Sequence, residues 1–194
     1  MHSKRILIVL GHPSLSSYCS ALADAYQEGA VSAGHSVRRL NLGQLAFDPI
    51  LREGYRSSQG LEPDLVQAQE EIVWAEHLVF VYPIWWGSVP ALLKGFLDRA
   101  IVPGFGFKYR AGSALWDKLL TGRTARLIST SDSPWWWSAF VLGNPALKMM
   151  KRTVLQYCGV SPVWATQLSS LRSSQPTQRS AWLRQITALG RAGR

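Results

Sequence analysis

Apolar runs and segments of helical period alternate along this chain. Arg5-Ile6-Leu7-Ile8-Val9-Leu10 and Leu78-Val79-Phe80-Val81-Tyr82 are apolar almost without a break. Such runs mark strands buried on both faces of a parallel sheet. Ser36 to Leu42 reads as a half-exposed strand, Arg123 to Thr130 as a fourth strand and Val160 to Leu168 as a fifth. Between them the pattern predicts helices. The first runs from about Ser17 to Ala33, with Gly34 as its stop. The second spans about Pro63 to Ala75. A third, over 90–101, sets Leu92, Leu93, Phe96 and Leu97 on an apolar face and Lys94, Asp98 and Arg99 on a charged one. A fourth covers about Pro145 to Tyr157, capped by Gly159, and a last one about Thr177 to Leu189. Residues 43–62 read as irregular, and 103–109 as too glycine-rich for an element interior.

Five strands alternating with helices mean an α/β fold, a doubly wound parallel sheet covered on both faces. No repeat or linker divides the chain, so residues 1–194 read as one domain. Right-handed crossovers leave two winding orders to consider. A dinucleotide-binding unit wants G-x-G-x-x-G after the first strand. Here Gly11 is followed by His12, Pro13, Ser14 and Leu15. That fingerprint is absent, and the flavodoxin-like order 2-1-3-4-5 is the expectation.

Charge changes the picture only at one end. The net charge is +9, from 21 basic and 12 acidic residues, and Asp132 is the last acid. A basic C-terminal third can attract nucleic acid, anionic lipid or a phosphorylated cofactor. Its arginines (172, 179, 184, 191, 194) are scattered, without a nucleic-acid motif, so a solvated basic helix is the simpler reading. Cys19 and Cys158 are too few for a disulfide framework. No apolar run approaches the roughly 20 residues of a membrane span, and none resembles a signal peptide. A cytoplasmic protein with free thiols, not inserted in a membrane, is expected.

Chemistry gathers where strands end. In Gly11-His12-Pro13-Ser14-Leu15-Ser16-Ser17-Tyr18-Cys19 the His12 ring, the Ser16 and Ser17 hydroxyls and the amides of a starting helix make an anion site. The competing reading is a bare N-cap by Ser16 or Ser17. After the third strand, Pro83 is expected to stop the ladder, having no N–H. Ile84, Trp85, Trp86, Gly87 and Ser88 then form a flat aromatic loop, and Pro90 enters the next helix. Core packing of the two indoles is the alternative. The fourth strand ends in Thr130 and Ser131. In the expected order these three loops lie side by side. A ligand with a phosphate tail and a planar, hydrogen-bonding ring matches all three, and flavin is the economical choice.

The pattern Gly11-His12-Pro13-x-x-Ser16-Ser17-Tyr18, followed by Tyr82-Pro83-Ile84-Trp85-Trp86-Gly87-Ser88-Val89-Pro90-Ala91-Leu92-Leu93-Lys94-Gly95, resembles the flavodoxin-like NAD(P)H:quinone oxidoreductases. That group includes DT-diaphorase, the modulator of drug activity B and ancillary subunits of potassium efflux systems. The resemblance covers most of residues 4 to 165. It implies that His12, Ser16, Ser17, Tyr18 and Ala21 lie at the flavin's phosphate end. It implies that Pro83, Ile84, Trp85, Trp86 and Gly87 line the ring, with Thr130 and Ser131 on its other edge. Asp98 matches an acidic position near the adenine of FAD-binding members, and Tyr109 a tyrosine over the substrate pocket. Trp86 and Trp135 are further pocket candidates. The resemblance also implies a homodimer.

The implied activity is two-electron transfer from NAD(P)H through bound flavin to quinones or similar flat acceptors. Nicotinamide and quinone would use one slot in turn, giving ping-pong kinetics. FAD is expected over FMN, because Pro13 interrupts the amides of the first loop and Asp98 offers an acceptor to an adenosine. Two positions depart from the family: Asp132 and Ser133 stand where glycines are common, and no acid/base residue is matched. Asp132 is expected to point away or cap the next helix. A regulatory subunit of a membrane transporter and a one-electron flavodoxin carrier are the rival readings. Trp116, Trp164 and Trp182 are expected in the core or an interface, Cys19 in packing, and His35 and His77 at surface or capping positions.

Overall fold

Both faces of β3 (His77–Pro83) are buried along its whole length, as its apolar run requires. In this computed structural model, which describes residues 3–55 and 59–194, that strand is the middle of the sheet. The other strands are β1 (Arg5–Leu10), β2 (Ser36–Asn41), β6 (Thr124–Thr130) and β7 (Val163–Leu168), all parallel, in the order β2-β1-β3-β6-β7. Counting only these five, the order is the expected 2-1-3-4-5.

Alternation along the strands builds two cores. Leu7, Val9, Leu78, Phe80, Tyr82, Ala125 and Leu127 face one side. There they pack under α2 (Pro63–Trp74) and α3 (Ala91–Ala100). Ile6, Ile8, Leu10, Val79, Val81 and Ile128 face the other side, under α1 (Tyr18–Ser32) and α5 (Pro176–Ala192). Each strand thus sends successive side chains into different layers, and the helices divide between the two faces.

The ladder does not stop at Pro83. Pro83 pairs with Thr130 as the last residue of β3. The next amide, Ile84 N–H, donates to the Thr130 carbonyl at 2.7 Å. A proline lacks its own donor, but its successor supplies one.

Three further expectations are corrected. The glycine-rich stretch after α3 contains β4 (Phe107–Tyr109), paired antiparallel with β5 (Trp116–Lys118). Stacking of Trp116 on Tyr157, with centroids 4.2 Å apart, and the bond from Trp116 Nε1 to the Tyr157 carbonyl hold this hairpin to the body. The fourth helix begins as α4 (Pro145–Lys148) but continues over Met149–Leu155 with π-type pairing. Another π-type turn spans Trp137–Val141. The fifth parallel strand begins at Val163 rather than Val160.

Arg99 does not belong to a solvated face. It is 1% exposed, and its guanidinium donates to the Asp48 and Gly60 carbonyls and to both Glu62 oxygens. It ties the irregular stretch before α2 to α3. His77 is likewise not a surface residue: it is fully buried inside β3. His35 is buried too, accepting from the Lys4 amide through Nδ1 at 3.1 Å.

Candidate site at the carboxyl edge of the sheet

β1, β3 and β6 are neighbours and parallel, so their carboxyl ends open on one edge. Ligands bind at such an edge in open α/β sheets. Here the three loops leaving it enclose a pocket of about 170 Å³, lined by His12, Ser17, Tyr18, Cys19, Pro83, Ile84, Trp85, Thr130, Ser131, Asp132 and Leu171.

The first loop is short because it is pinned. The Gly11 amide donates to the Val81 carbonyl at 2.8 Å. Pro13 lies directly on Gly43, where any Cβ would collide with the Pro13 carbonyl. Within the loop His12 Nδ1 lies 2.9 Å from the Ser14 amide and 3.1 Å from the Ser14 carbonyl. It accepts from the first in one tautomer, which leaves the proton on Nε2 as a donor, and donates to the second in the other. His12 also meets Trp85 edge-on, with centroids 5.5 Å apart and planes at 71°. Ser17 is the N-cap of α1, and its hydroxyl accepts from the Ser20 amide at 3.2 Å. The capping reading therefore holds for Ser17, and the residue still lines the pocket. A helix start leaves its first amides without intrahelical partners, and the partial positive charge there favours an anion.

The second loop turns sharply. The Trp85 amide donates to the Ser88 carbonyl and the Ser88 amide to the Trp85 carbonyl, both at 2.9 Å. Trp86 (φ 52°) and Gly87 (φ 73°) occupy the two central positions in the left-handed region. Glycine takes that conformation freely. For a tryptophan it costs on the order of 1–2 kcal/mol. The strained Trp86 is fully exposed, and Trp85 is half-exposed.

The third loop carries Thr130, Ser131 and Asp132. Asp132 does not point away: it lines the pocket while its Oδ1 accepts from the Arg172 amide at 2.9 Å. That bond brings Leu171 to the rim. Tyr18 donates through its hydroxyl to the Arg179 carbonyl at 2.9 Å, so α1 and the start of α5 close the same side.

Of the residues singled out from sequence, His12, Ser17, Tyr18, Pro83, Ile84, Trp85, Thr130 and Ser131 come together here. Ser16, Ala21, Trp86, Gly87, Asp98, Tyr109 and Trp135 are outside the lining. Ser16 bonds to Ser14 instead, hydroxyl to hydroxyl at 2.9 Å. Ala21 faces a groove between α1 and α5. Asp98 pairs with Lys94 at 2.7 Å and shares a separate pocket of about 270 Å³ with Tyr109, Tyr157 and Cys158. Trp135 packs against Phe140 on the surface. Sequence reasoning missed Cys19, Asp132 and Leu171 as lining residues. Cys19 was legible from its place in the first helical turn; Leu171 depends on a bond across 40 residues.

A roomier cleft, about 550 Å³, opens between residues 51–55 and 59–61 on one side and the end of α3 on the other. Its buried polar group is Arg99, already saturated by Glu62 and two carbonyls, and no strand end delivers donors to it. The strand-end pocket is smaller but has the chemistry.

The profile of a family with a flavodoxin-like fold matches residues 4–189. An uncharacterized NAD(P)H oxidoreductase of Haemophilus influenzae is 28% identical over 161 residues, covering 81% of this chain and 79% of that protein. NAD(P)H dehydrogenase (quinone) 1 of Rattus norvegicus is 26% identical over 205 residues, covering 92% and 73%. The solved NAD(P)H:quinone oxidoreductase from Methanothermobacter marburgensis matches with a TM-score of 0.83 at 25% identity, covering 98% and 96%.

Proposed function

The chain belongs to the family with a flavodoxin-like fold, and on that premise we propose that it is a flavin-dependent NAD(P)H dehydrogenase acting on quinones or similar flat acceptors. One observation carries this reading. An anion-binding helix start, an aromatic wall and a pair of hydroxyls converge at the carboxyl edge of β1, β3 and β6. Two proteins similar to it over most of its length, the rat enzyme and the Methanothermobacter marburgensis enzyme, are named for that activity.

The residues fit a flavin. His12 Nε2 and the first amides of α1 are donors suited to a phosphate. Pro83, Ile84 and Trp85 offer an apolar surface suited to a flat ring. Thr130 and Ser131 add hydroxyls at the far side. Bound flavin supplies the redox chemistry, taking hydride from a nicotinamide and passing two electrons to the acceptor. The chain's part is to bind, orient and stabilise charge. Donors fixed in advance near a developing negative charge are the strongest means of doing so. Asp132 opposes them, because a carboxylate in the lining disfavours added negative charge.

The identity of the flavin turns on Asp98. FAD was expected because Asp98 offers its adenosine an acceptor. That carboxylate is outside the pocket and engaged by Lys94. Nothing in the lining of the pocket of about 170 Å³ is set aside for an adenosine. FMN is the better-supported occupant, and chromatography of heat-released cofactor against both standards tests it.

Trp135, Trp136, Trp137, Phe140, Val141 and Leu142 are all exposed on one π-type turn and its flanks. Aromatic residues are enriched in interface cores, and we read this face as covered by a second copy of the chain. Sedimentation tests it. No helix among the described residues is long and apolar enough to cross a membrane. Two buried free cysteines and a nicotinamide reductant suit the cytoplasm.

Steady-state kinetics with NADH or NADPH and a quinone test the activity. Parallel double-reciprocal lines are expected if both substrates use the one exposed aromatic face in turn. Absence of quinone reduction by flavin-loaded protein contradicts the proposal.

A further inference from the structure

Beneath the pocket one contact joins two of its three loops. Cys19 Sγ, in the first turn of α1, lies 3.4 Å from Thr130 Oγ1 at the end of β6. Both residues line the pocket, yet Cys19 is only 3% exposed and Thr130 2%. Their side chains meet in the floor.

Either side chain can donate in this contact. Burial pushes the Cys19 thiol up to about 11, so it keeps its proton near neutrality. A thiol is a weak donor and a weak acceptor, and a hydroxyl is good at both. One of the two arrangements has S–H donating to Oγ1. The Thr130 hydroxyl proton is then released from this contact and free to donate into the pocket. The Thr130 carbonyl is already occupied by the Ile84 amide. The same burial that keeps the thiol protonated makes it a poor nucleophile, so its role is steric and directional, not covalent.

We propose that Cys19 is a positioning residue, which by donating to Thr130 Oγ1 fixes the Thr130 hydroxyl as a donor into the pocket and thereby sets the electron affinity of the flavin held there. This rests on the flavin reading above. A hydroxyl fixed in advance stabilises negative charge without reorganising when the charge arrives. A hydroxyl free to rotate must first lose that freedom. Cysteine suits the place because its side chain packs as a small hydrophobe and makes few polar demands when buried.

The test compares the parent with Cys19→Ala, Cys19→Ser, Thr130→Val and the double variant Cys19→Ala/Thr130→Val. Flavin midpoint potential is read by equilibration with a reference dye, flavin affinity by fluorescence titration, and fold by circular dichroism. Cys19→Ala is expected to favour the oxidised form by about tenfold, about 30 mV for a two-electron couple. Cys19→Ser, which keeps a donor but adds a good acceptor, is expected to recover part of the parent potential. In the Thr130→Val background, Cys19→Ala is expected to add no shift. If Cys19→Ala does not fold, Cys19→Val fills the space without a donor and takes its place. An unchanged potential in the donor-less variant overturns the proposal, and so does a shift that persists without the Thr130 hydroxyl. Both outcomes leave the flavin reading standing. Failure of the parent itself to bind flavin overturns the two together.

Discussion

His12 and Trp85 stand edge to face, 5.5 Å between centroids, and so join the loop after β1 to the loop after β3. The Ser14 backbone on His12 Nδ1 fixes the ring from its other side. With the Ser14 amide donating to Nδ1, His12 offers Nε2 as a donor beside the helix start, next to the aromatic wall.

Replacing His12 with Ala removes that donor and the edge contact. A hydrogen bond to a charged group contributes about 1.5–3 kcal/mol, so flavin affinity is expected to fall by about tenfold or more. The fold is expected to persist, since the ring is part of a surface loop. Fluorescence titration of the apoprotein checks this; unaltered affinity would place the phosphate elsewhere.

Ser17 separates capping from binding. Ser17→Ala removes the side-chain acceptor of the Ser20 amide and is expected to cost about 1 kcal/mol of stability. Ser17→Glu adds a carboxylate where the anion is placed. Retained flavin should collapse while the circular dichroism spectrum persists. A Glu variant that copurifies with as much flavin as the parent would rule out an anion at this helix start.

Much of this was legible in the sequence, for reasons that are local. The doubly buried runs of β1 and β3 left one architecture, and Gly11-His12-Pro13 with Ser17 marked the first loop. What escaped depended on contacts distant in the chain. Arg99 looked like a solvated charge because only the fold brings Glu62, Asp48 and Gly60 around it. Pro83 looked like a stop because the Ile84 amide's partner lies on another strand. Asp98 was assigned to the adenine side on a family pattern, and it sits beside Lys94 in a separate pocket. The β4–β5 hairpin depends on Trp116 finding Tyr157, some 40 residues on.

His77 makes the protein acid-sensitive. Burial first, and then the charges of Lys4, Arg126 and His35, lower its pKa from 6.5 to about 3. Nδ1 meets Thr124 Oγ1 at 2.7 Å, and the ring stacks near Tyr26. The folded chain holds the ring neutral, whereas the unfolded chain protonates it below about 6.5. Stability from this residue is thus complete above pH 6.5 and falls as pH drops toward 3, by at most about 1.4 kcal/mol per pH unit. Urea midpoints across that window check it. His77→Gln, which cannot titrate, is expected to flatten the profile; an equally steep decline in the variant would assign the acid sensitivity to other groups.

The central claim is that the strand-end pocket holds a flavin that relays two electrons from a nicotinamide to a quinone. Anaerobic titration of the purified, flavin-loaded protein, followed by its visible absorbance, tests it most directly. One equivalent of NADH or NADPH is expected to bleach the flavin band, and one equivalent of quinone to restore it. A flavin band that neither nicotinamide bleaches, or that stays bleached when quinone is added, would contradict the account.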